Sequence, residues 1–245
     1  MAASFVRNGK KASTAPRYCL QFGNSEHPQI IGISTNYETY IKGRLRPVEP
    51  VFFLKPTTSY LLSGGKVEIP AGVIAHHEVE LGVVIGKRAR AISKAEAEAH
   101  VAGYALAVDM SARNVQHLAK KQGLPWSAAK GFDSFLPIGP FIPKDHIPDP
   151  HNVMLTLQLN GAFRQNGSTS TMIFRIPRLI EHVSSIMTLE EGDLILTGTP
   201  DGVGPVNPGD NIQCTLLDST GRELSRLAFD AVAREGGYKF SADRV

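Results

Sequence analysis

Six apolar runs of strand length recur along this sequence, and turn-forming residues separate them. The dipeptides Asn160-Gly161 and Pro208-Gly209 are such turns, and so is the segment 218–221, which predicts a hairpin near the end of the chain. Helical patterns are fewer, and they do not alternate with the strands as βαβ units would. We therefore predict a β-rich α+β fold. The predicted strands are Val51–Leu54, Val79–Ile85, Tyr104–Val108, Val153–Leu159, Asp193–Thr197 and Ile212–Leu217.

Three segments carry helix signals. Ser93 is followed three residues later by Glu96, a capping box that predicts a helix beginning at Ser93. A second helix is predicted from about Ser111 toward Lys121, and Gly123 is expected to stop it. A third is predicted over residues 177–186, with a proline in its first turn.

The first 25 residues differ in charge from the rest of the chain. They contain no acidic residue, and this composition is typical of either a short organellar transit peptide or a disordered tail. The remaining chain has 22 basic and 23 acidic residues, which argues against binding nucleic acid through a broad basic surface. No run approaches the roughly 18 apolar residues that a membrane span needs. We predict a basic arm over residues 1–28 and a single catalytic domain over residues 29–245, with neither nucleic acid nor a membrane as partner. The four basic residues of the arm are Arg7, Lys10, Lys11 and Arg17.

Two glutamates, Glu78 and Glu80, stand at the head of the apolar run Val79–Ile85. Residues two apart in a strand share one face, so both carboxylates would repel each other unless that face meets solvent or a positive charge. Asp109 directly follows the next predicted strand, where it or Ser111 could cap a helix. Three carboxylates beside apolar strands favour a hard cation such as Mg²⁺ or Mn²⁺, with Ca²⁺ as a further choice. Solvent-facing acids are the alternative.

Two further segments have the chemistry to meet an anion. Lys130 lies between an alanine and a glycine, where backbone can approach a ligand closely, although an exposed lysine is the alternative. The segment ILTGTPDGVG runs from a strand into Gly198, Thr199 and Pro200. Such a turn can present backbone N–H groups and a hydroxyl to an anion. It lacks the G-x-x-x-x-G-K-[ST] pattern, so it is not a P-loop.

Five segments together resemble the fumarylacetoacetate hydrolase superfamily, and they occur in the family's order. They are HHEVELGVVIGKRAR, GYALAVDMSARNVQ, KKQGLPWSAAKGFD, LNGAFRQNGSTSTMIF and LEEGDLILTGTPDGVGPVNPGD. The resemblance covers about residues 30–232 and is greatest to the small acylpyruvase, oxaloacetate decarboxylase and oxaloacetate tautomerase members. It implies a mixed β-sandwich roll, a homodimer and one Mg²⁺ or Mn²⁺ per subunit, held by Glu78, Glu80 and Asp109.

The resemblance also implies which residues contact a substrate. Arg113 and Gln116 would hold the carboxylate or oxo oxygens of a small 2-oxo acid. Lys130 would lie beside the metal as a charge partner, and Thr199 would bind the substrate's carboxylate. These roles together imply an enzyme that stabilises the enolate of a 2-oxo acid.

The chain departs from the family in a short lid motif of the form N-Y-x-x-H-x-x-E, whose His and Glu activate water. Asn36 and Tyr37 match this motif, but Tyr40 and Gly43 replace the His and the Glu. A tyrosine titrates near pH 10, so it is a poor general base at neutral pH. Enolisation is less demanding than hydrolysis, because it needs the metal and one proton shuttle. The candidate shuttles are Tyr40, Glu38 and Lys130.

We therefore predict keto–enol tautomerisation of a small 2-oxo dicarboxylate such as oxaloacetate, or of an acylpyruvate. Two alternatives stay open: C–C hydrolysis or decarboxylation through a substitute base, and a non-catalytic protein that binds a metal and a 2-oxo acid. Arg44 or Arg46 could recognise a second carboxylate, with an exposed basic loop as the alternative. Mitochondrial family members and the basic arm favour a mitochondrial location over a cytoplasmic one.

Overall fold

A computed structural model describes residues 28–41 and 45–241 of the chain. Within these residues the strands are β1 Ile30–Ser34, β2 Val51–Lys55, β3 Tyr60–Leu62, β4 Lys66–Ile69, β5 Ala75–His77, β6 Val79–Ile85, β7 Val101–Val108, β8 Ser111–Ala112, β9 Leu136–Ile138, β10 Ile142–Pro143, β11 Met154–Leu159, β12 Ala162–Ser168, β13 Leu194–Leu196, β14 Gly204–Val206, β15 Asn211–Leu217 and β16 Glu223–Ala233. The α-helices are α1 Glu38–Ile41, α2 Arg113–Gln122, α3 Ser127–Lys130 and α4 Ile176–Ile186. Short 3₁₀ helices cover Thr57–Ser59, Ala97–His100, Lys144–His146 and Thr169–Thr171.

The strands described form three sheets. The largest has the order β2-β1-β13-β6-β7-β9-β3, with β10 beside β7, and it mixes parallel and antiparallel pairs. The second has the order β12-β11-β15-β16-β4, and the third the order β14-β5-β8. Leu81 and Leu106 of the largest sheet share one buried cluster with Leu157 and Leu216 of the second. Two sheets therefore enclose the main core, and the predicted β-rich α+β sandwich is confirmed.

Strands β6 and β7 are buried on both faces, which determines where the glutamates project. Val79 and Leu81 of β6 face the main core between the sheets. The residues of β6 that alternate with these face the other way, where a smaller buried cluster contains Val84 of β6 and Ala107 of β7. Glu80 belongs to this second face, since alternate residues of a strand share a side. Its carboxylate therefore projects away from the main core.

The predicted strands and turns all form, with ends displaced by a few residues at most. Asn160 and Gly161 make the turn between β11 and β12, with φ of 52° and 78°. Helix α2 ends at Gly123, whose φ of 66° is a left-handed conformation, and α4 has Pro177 in its first turn. The hairpin at residues 218–221 joins β15 to β16. Turn chemistry was thus the most informative local signal in the sequence.

The predicted α-helix at Ser93 is wrong. The Glu96 carboxylate does accept hydrogen bonds from the Ser93 amide at 2.9 Å and from its hydroxyl at 2.8 Å. The chain beyond this turn forms only the 3₁₀ helix Ala97–His100, and strand β7 begins at the next residue. Because Val101 is already paired in the sheet, no room remains for a longer helix.

The residues described contain no helix both long and apolar enough to cross a membrane. The predicted basic arm, residues 1–28, lies outside the described part of the chain except for Pro28. Gly43 and Arg44, two residues of the predicted lid region, also lie outside it. The division into an arm and a single catalytic domain stays a prediction.

Candidate metal centre

Three carboxylates predicted from the sequence meet on the second face of the largest sheet. Glu78 and Glu80 stand at the start of β6, and Asp109 follows β7, the antiparallel neighbour. The Asp109 amide donates to the Glu78 carbonyl at 2.8 Å, so the two strands bring these residues side by side. One oxygen of each carboxylate lies within 4.8 Å of the others, and all three side chains are buried. The alternative of solvent-facing acids does not fit this burial.

Two of the three carboxylates are paired with buried or half-buried cations. Lys130 Nζ donates to Glu78 Oε2 at 3.1 Å and also to Asp109 Oδ2. Lys55 Nζ donates to Asp109 Oδ1 at 2.9 Å. Arg113 donates to Glu78 Oε1. A salt bridge this deeply buried costs desolvation energy that its geometry must offset, so the cluster indicates a site kept for a purpose other than stability.

Glu80 differs from the other two carboxylates. Its Oε2 accepts a hydrogen bond of 2.6 Å from the Gly198 amide, and among the residues described no cation forms a salt bridge with it. Burial, together with the charges of Asp109 and Glu78, raises the pKa of Glu80 well above its ordinary value. A divalent cation would offset this repulsion. The three oxygen donors therefore fit Mg²⁺ or Mn²⁺, the hard cations predicted from the sequence.

The protonation of the other groups follows from their neighbours. Burial alone would raise the pKa of Glu78, but Lys130 and Arg113 lower it to about 2. Burial alone would lower the pKa of Lys130, but the carboxylates of Asp109 and Glu78 raise it above its ordinary value. Lys130 is therefore an ammonium group at neutral pH. It can donate a hydrogen bond and stabilise negative charge, but it has no lone pair with which to act as a base.

Helix α2 brings the predicted substrate contacts to the carboxylates. Arg113, Gln116 and Lys120 are three and four residues apart, so they share one face of the helix. Arg113 donates to Gln116 Oε1 at 2.5 Å, and all three side chains line a cavity of about 50 Å³. This cavity, which we call the inner cavity, is also lined by Glu78, Glu80, Lys130, Thr199 and Tyr40. It is large enough for a few atoms of a small polar ligand.

A second cavity of about 630 Å³ shares four lining residues with the inner cavity. The shared residues are Tyr40, Arg113, Gln116 and Lys120. His76 and Asp201 also line this outer cavity. It therefore provides an approach to the carboxylates wide enough for the rest of a small-molecule substrate.

The three predicted proton shuttles lie in different places. Lys130 is buried beside the carboxylates, and Tyr40 is half-buried and lines both cavities. Glu38 is exposed and pairs with Arg46 at 3.1 Å. Among the residues described, Glu38 and Arg46 are not part of either cavity wall. The structure therefore brings Lys130 and Tyr40 together with the predicted ligands and leaves Glu38 outside.

Sequence reasoning missed one buried cation, Lys55. Its Nζ donates to Asp109 and to the backbone carbonyls of Met110 and Lys130, at 3.3 and 2.6 Å. Burial lowers the pKa of Lys55, although Asp109 opposes this shift. The signal in the sequence was a lysine that ends the apolar strand β2 directly before a proline. A charge at that position is unusual enough to ask what it pairs with.

Replacing Lys55 with Met is expected to lower the free energy of unfolding by about 3 kcal/mol, because a buried carboxylate and two carbonyls lose their donor. Urea denaturation measures this loss. The matched control is Lys94→Met, since Lys94 is exposed and its salt bridge to Glu181 is long, at 3.9 Å. That change is expected to cost less than about 0.5 kcal/mol. Equal losses in the two variants would contradict the role given to Lys55.

A family model agrees with the resemblance seen in the motifs. The model described as "Fumarylacetoacetate (FAA) hydrolase C-terminal" matches residues 19–228. This match includes the three carboxylates, both buried lysines and the Gly198-Thr199-Pro200 turn. The similarity therefore extends over the whole candidate site.

Two curated relatives are similar over most of their length. A Bos taurus protein named "Oxaloacetate tautomerase FAHD1, mitochondrial" is 54% identical over 190 residues, which are 76% of this chain and 86% of that protein. A Dictyostelium discoideum protein named "Oxaloacetate decarboxylase, mitochondrial" is 51% identical over 211 residues, 84% of this chain and 95% of that protein. A crystal structure of yeast ynq8, a fumarylacetoacetate hydrolase family protein, superposes with a TM-score of 0.81 at 34% identity. That superposition covers 91% of this chain and 98% of the yeast chain.

Proposed function

Because the chain belongs to the fumarylacetoacetate hydrolase family, we propose that it is a divalent-metal-dependent enzyme that interconverts the keto and enol forms of an oxaloacetate-like 2-oxo acid. One observation carries this proposal: three buried carboxylates converge beside the ammonium group of Lys130, where Glu78, Glu80 and Lys130 line a small polar cavity. The bovine relative named as an oxaloacetate tautomerase supports the choice of reaction and substrate.

The proposed site stabilises negative charge on the substrate. A Mg²⁺ or Mn²⁺ ion bound by Glu78, Glu80 and Asp109 would act as a Lewis acid towards the 2-oxo group. Lys130 adds a fixed ammonium group next to the position where an enolate oxygen would develop charge. Arg113 and Gln116, on the wall contributed by α2, orient the substrate's oxygens. Lys130 and Arg113 are already held in place by hydrogen bonds to the carboxylates, and Gln116 by one from Arg113, so little reorganisation accompanies the reaction.

Tyr40 is the side chain that we propose for proton transfer to carbon. When the enol form is converted to the keto form, C3 gains a proton and the enol oxygen loses one. The Tyr40 hydroxyl can give a proton to C3 while the enol oxygen releases its proton to solvent in the outer cavity, and the resulting tyrosinate then regains a proton from that solvent. Lys130 is already charged and remains a stabiliser. Glu38 has no part in this proposal because it pairs with Arg46 at the surface.

Decarboxylation of the same substrate is the second candidate. The Dictyostelium relative is named an oxaloacetate decarboxylase, and loss of CO₂ from a 2-oxo dicarboxylate also passes through an enolate. The same three carboxylates and Lys130 would serve both reactions. Hydrolysis of an acylpyruvate needs an activated water in addition, and Tyr40 stands where the family's lid histidine would supply it. We therefore place hydrolysis behind both of the other reactions.

Freshly dissolved enol-oxaloacetate tests the proposal. With protein and Mg²⁺, the enol absorbance is expected to fall rapidly, with no stoichiometric formation of pyruvate, and EDTA is expected to stop this loss. Pyruvate formed in proportion to the substrate lost would instead identify a decarboxylase. If neither signal differs from the protein-free control, both enzymatic candidates are wrong for this substrate, and a non-catalytic binder is favoured.

Two observations support a mitochondrial location. Both curated relatives are named mitochondrial, and the first 25 residues of this chain are basic and lack acidic residues. We propose that the chain is mitochondrial. A homodimer, implied by the family resemblance, stays a prediction.

A further inference from the structure

The side-chain amide of Gln165, in β12, makes four hydrogen bonds next to the candidate site, two through Oε1 and two through Nε2. Its Oε1 accepts from the Val79 amide at 3.0 Å and lies 2.9 Å from His77 Nδ1. Its Nε2 donates to Thr199 Oγ1 at 2.8 Å and to the Pro200 carbonyl at 3.0 Å. The side chain is 1% exposed. It therefore has no hydrogen-bonding role towards solvent.

The orientation of this amide follows from its partners. The Val79 amide can only donate and the Pro200 carbonyl can only accept, so Oε1 and Nε2 cannot be exchanged. His77 Nδ1 must then carry a proton, because it faces an oxygen that is an acceptor. The network thus has one consistent set of donors and acceptors.

Gln165 joins the two sheets at the turn that borders the inner cavity. Strand β12 belongs to the five-stranded sheet, whereas the turn at residues 197–200 extends β13 of the largest sheet. The two segments pack closely, since a Cβ atom at Gly167 would lie 2.4 Å from the Cβ atom of Pro200. The same turn holds Glu80 through the Gly198 amide. A shift of this turn would therefore also disturb Glu80, a candidate metal ligand.

The Thr199 hydroxyl is held from both sides. Its O–H donates to the Val79 carbonyl at 2.8 Å, and its oxygen accepts from Gln165. A carboxylate has no hydrogen to donate, so Thr199 can bind one only by turning its O–H away from Val79. With Gln165 in place, the oxygen keeps its position while the O–H turns. Without Gln165, the Thr199 oxygen loses the buried donor that fixes its position while the O–H turns.

We propose that Gln165 is a positioning residue, which fixes the Thr199 hydroxyl so that it can receive the carboxylate of a 2-oxo acid. This inference rests on the proposed function, because it takes the inner cavity as the place where such a substrate binds. His77 supports Gln165 from the side opposite Thr199. The role of Gln165 is indirect, since it does not line the inner cavity.

A double-mutant cycle tests this role, with calorimetric binding of oxalate to the Mg²⁺-loaded protein as the readout. Oxalate presents two adjacent carboxylates and resembles the enolate of a 2-oxo acid. Gln165→Met is expected to weaken oxalate binding about tenfold in the parent protein, the equivalent of about one hydrogen bond. In a Thr199→Val background the same change is expected to weaken it less than about twofold, because its partner is absent. In the enzyme assay, Gln165→Met is expected to have a KM about tenfold higher than that of the parent, with kcat changed less than about threefold.

The other outcomes distinguish a failure of the role given to Gln165 from a failure of the proposed function. Equal losses of oxalate affinity in both backgrounds, or no loss in the parent, would overturn the role of Gln165 alone. A parent protein that binds no oxalate would overturn the proposed function and the inference with it. Gln165→Glu repeats the cycle in case Gln165→Met does not fold, because it keeps the acceptor for Val79 and His77. Any effect of its charge, or of the lost hydrogen bond to the Pro200 carbonyl, is expected in both backgrounds, whereas the loss of the donor to the Thr199 hydroxyl matters only when Thr199 is present.

The control for general loss of stability is Ser184→Ala. The Ser184 hydroxyl is also buried and makes two hydrogen bonds, to the Glu181 carbonyl at 3.2 Å and from the Ile92 amide at 3.3 Å. It belongs to α4 and is not part of the inner cavity wall. This variant is expected to unfold at a lower temperature with unchanged oxalate affinity. A matching loss of affinity in Ser184→Ala would show that lower stability alone weakens binding.

Discussion

Replacing Asp109 with Asn is expected to abolish Mg²⁺ binding and turnover together. Both oxygens of Asp109 accept from ammonium groups, Oδ1 from Lys55 and Oδ2 from Lys130. An amide would direct its NH₂ group at one of these ammonium groups, so the pair would repel, and one of three candidate metal ligands would lose its charge. A metal contribution of several kcal/mol corresponds to a loss of more than about a thousandfold in kcat/KM.

Thermal unfolding measures the binding half of this prediction without any assay of activity. At a hundredfold excess over its Kd, Mg²⁺ is expected to stabilise the parent protein by about 2.7 kcal/mol. For a chain of this size, that corresponds to a rise of roughly 5–10 °C in Tm. Asp109→Asn is expected to show no rise.

The control for this experiment is Asp193→Asn at another buried aspartate. Asp193 accepts from the amides of Gln29 at 2.6 Å and Glu190 at 2.8 Å, and it lies at the opposite end of β13 from Gly198. Its variant is expected to be less stable than the parent but to keep the full response to Mg²⁺. If Asp109→Asn also kept that response, the three carboxylates would not be the metal site.

Much of the metal centre could be predicted because its geometry is local. Glu78 and Glu80 share a face through the two-residue period of one strand, and Asp109 follows the strand that pairs with it. No knowledge of the remaining chain is needed to place these three carboxylates beside apolar strands. That they converge within 4.8 Å required the antiparallel register, which the sequence does not specify by itself.

The residues that sequence reasoning missed are distant in the chain from the groups they contact. Lys55 is 54 residues from Asp109, and Gln165 is 88 residues from His77. Neither lies in a periodic pattern with its partner, since the pairing depends on how two sheets and a long connection pack. The failed helix at Ser93 has the opposite cause. The predicted hydrogen bond between Glu96 and Ser93 forms, but the chain enters strand β7 of the sheet at Val101.

The charges of the site also explain why the departure in the lid matters less than the motif suggests. Three carboxylates face three cations, namely Lys55, Lys130 and Arg113. A divalent cation would therefore leave the site with net positive charge and ready to accept an anionic substrate. This electrostatic arrangement needs neither the His nor the Glu of the lid motif. The proposed enolisation would depend on this arrangement, whereas water activation would depend on the His and the Glu that the lid motif lacks here.

Replacing Lys130 with Met is expected to lower kcat at least about a hundredfold while Mg²⁺ still binds. The variant keeps the three carboxylates but removes the ammonium group that lies between Glu78 and Asp109. Without Mg²⁺, these two carboxylates lose their shared partner, and the variant is expected to be less stable by about 3–5 kcal/mol. Bound Mg²⁺ would supply the missing positive charge. The rise in Tm on adding Mg²⁺ is therefore expected to be larger in Lys130→Met than in the parent protein.

Measuring turnover and the response to Mg²⁺ together distinguishes Lys130 from the metal ligands. Asp109→Asn is expected to lose both, whereas Lys130→Met is expected to lose turnover alone. The matched control is Lys94→Met, since the exposed Lys94 is expected to change neither turnover nor the response to Mg²⁺. If Lys130→Met failed to respond to Mg²⁺, Lys130 would be needed to shape the site rather than to stabilise the substrate's charge. If kcat were unchanged, the enolate would be stabilised without an ammonium group, and Arg113 would be the cation to test next.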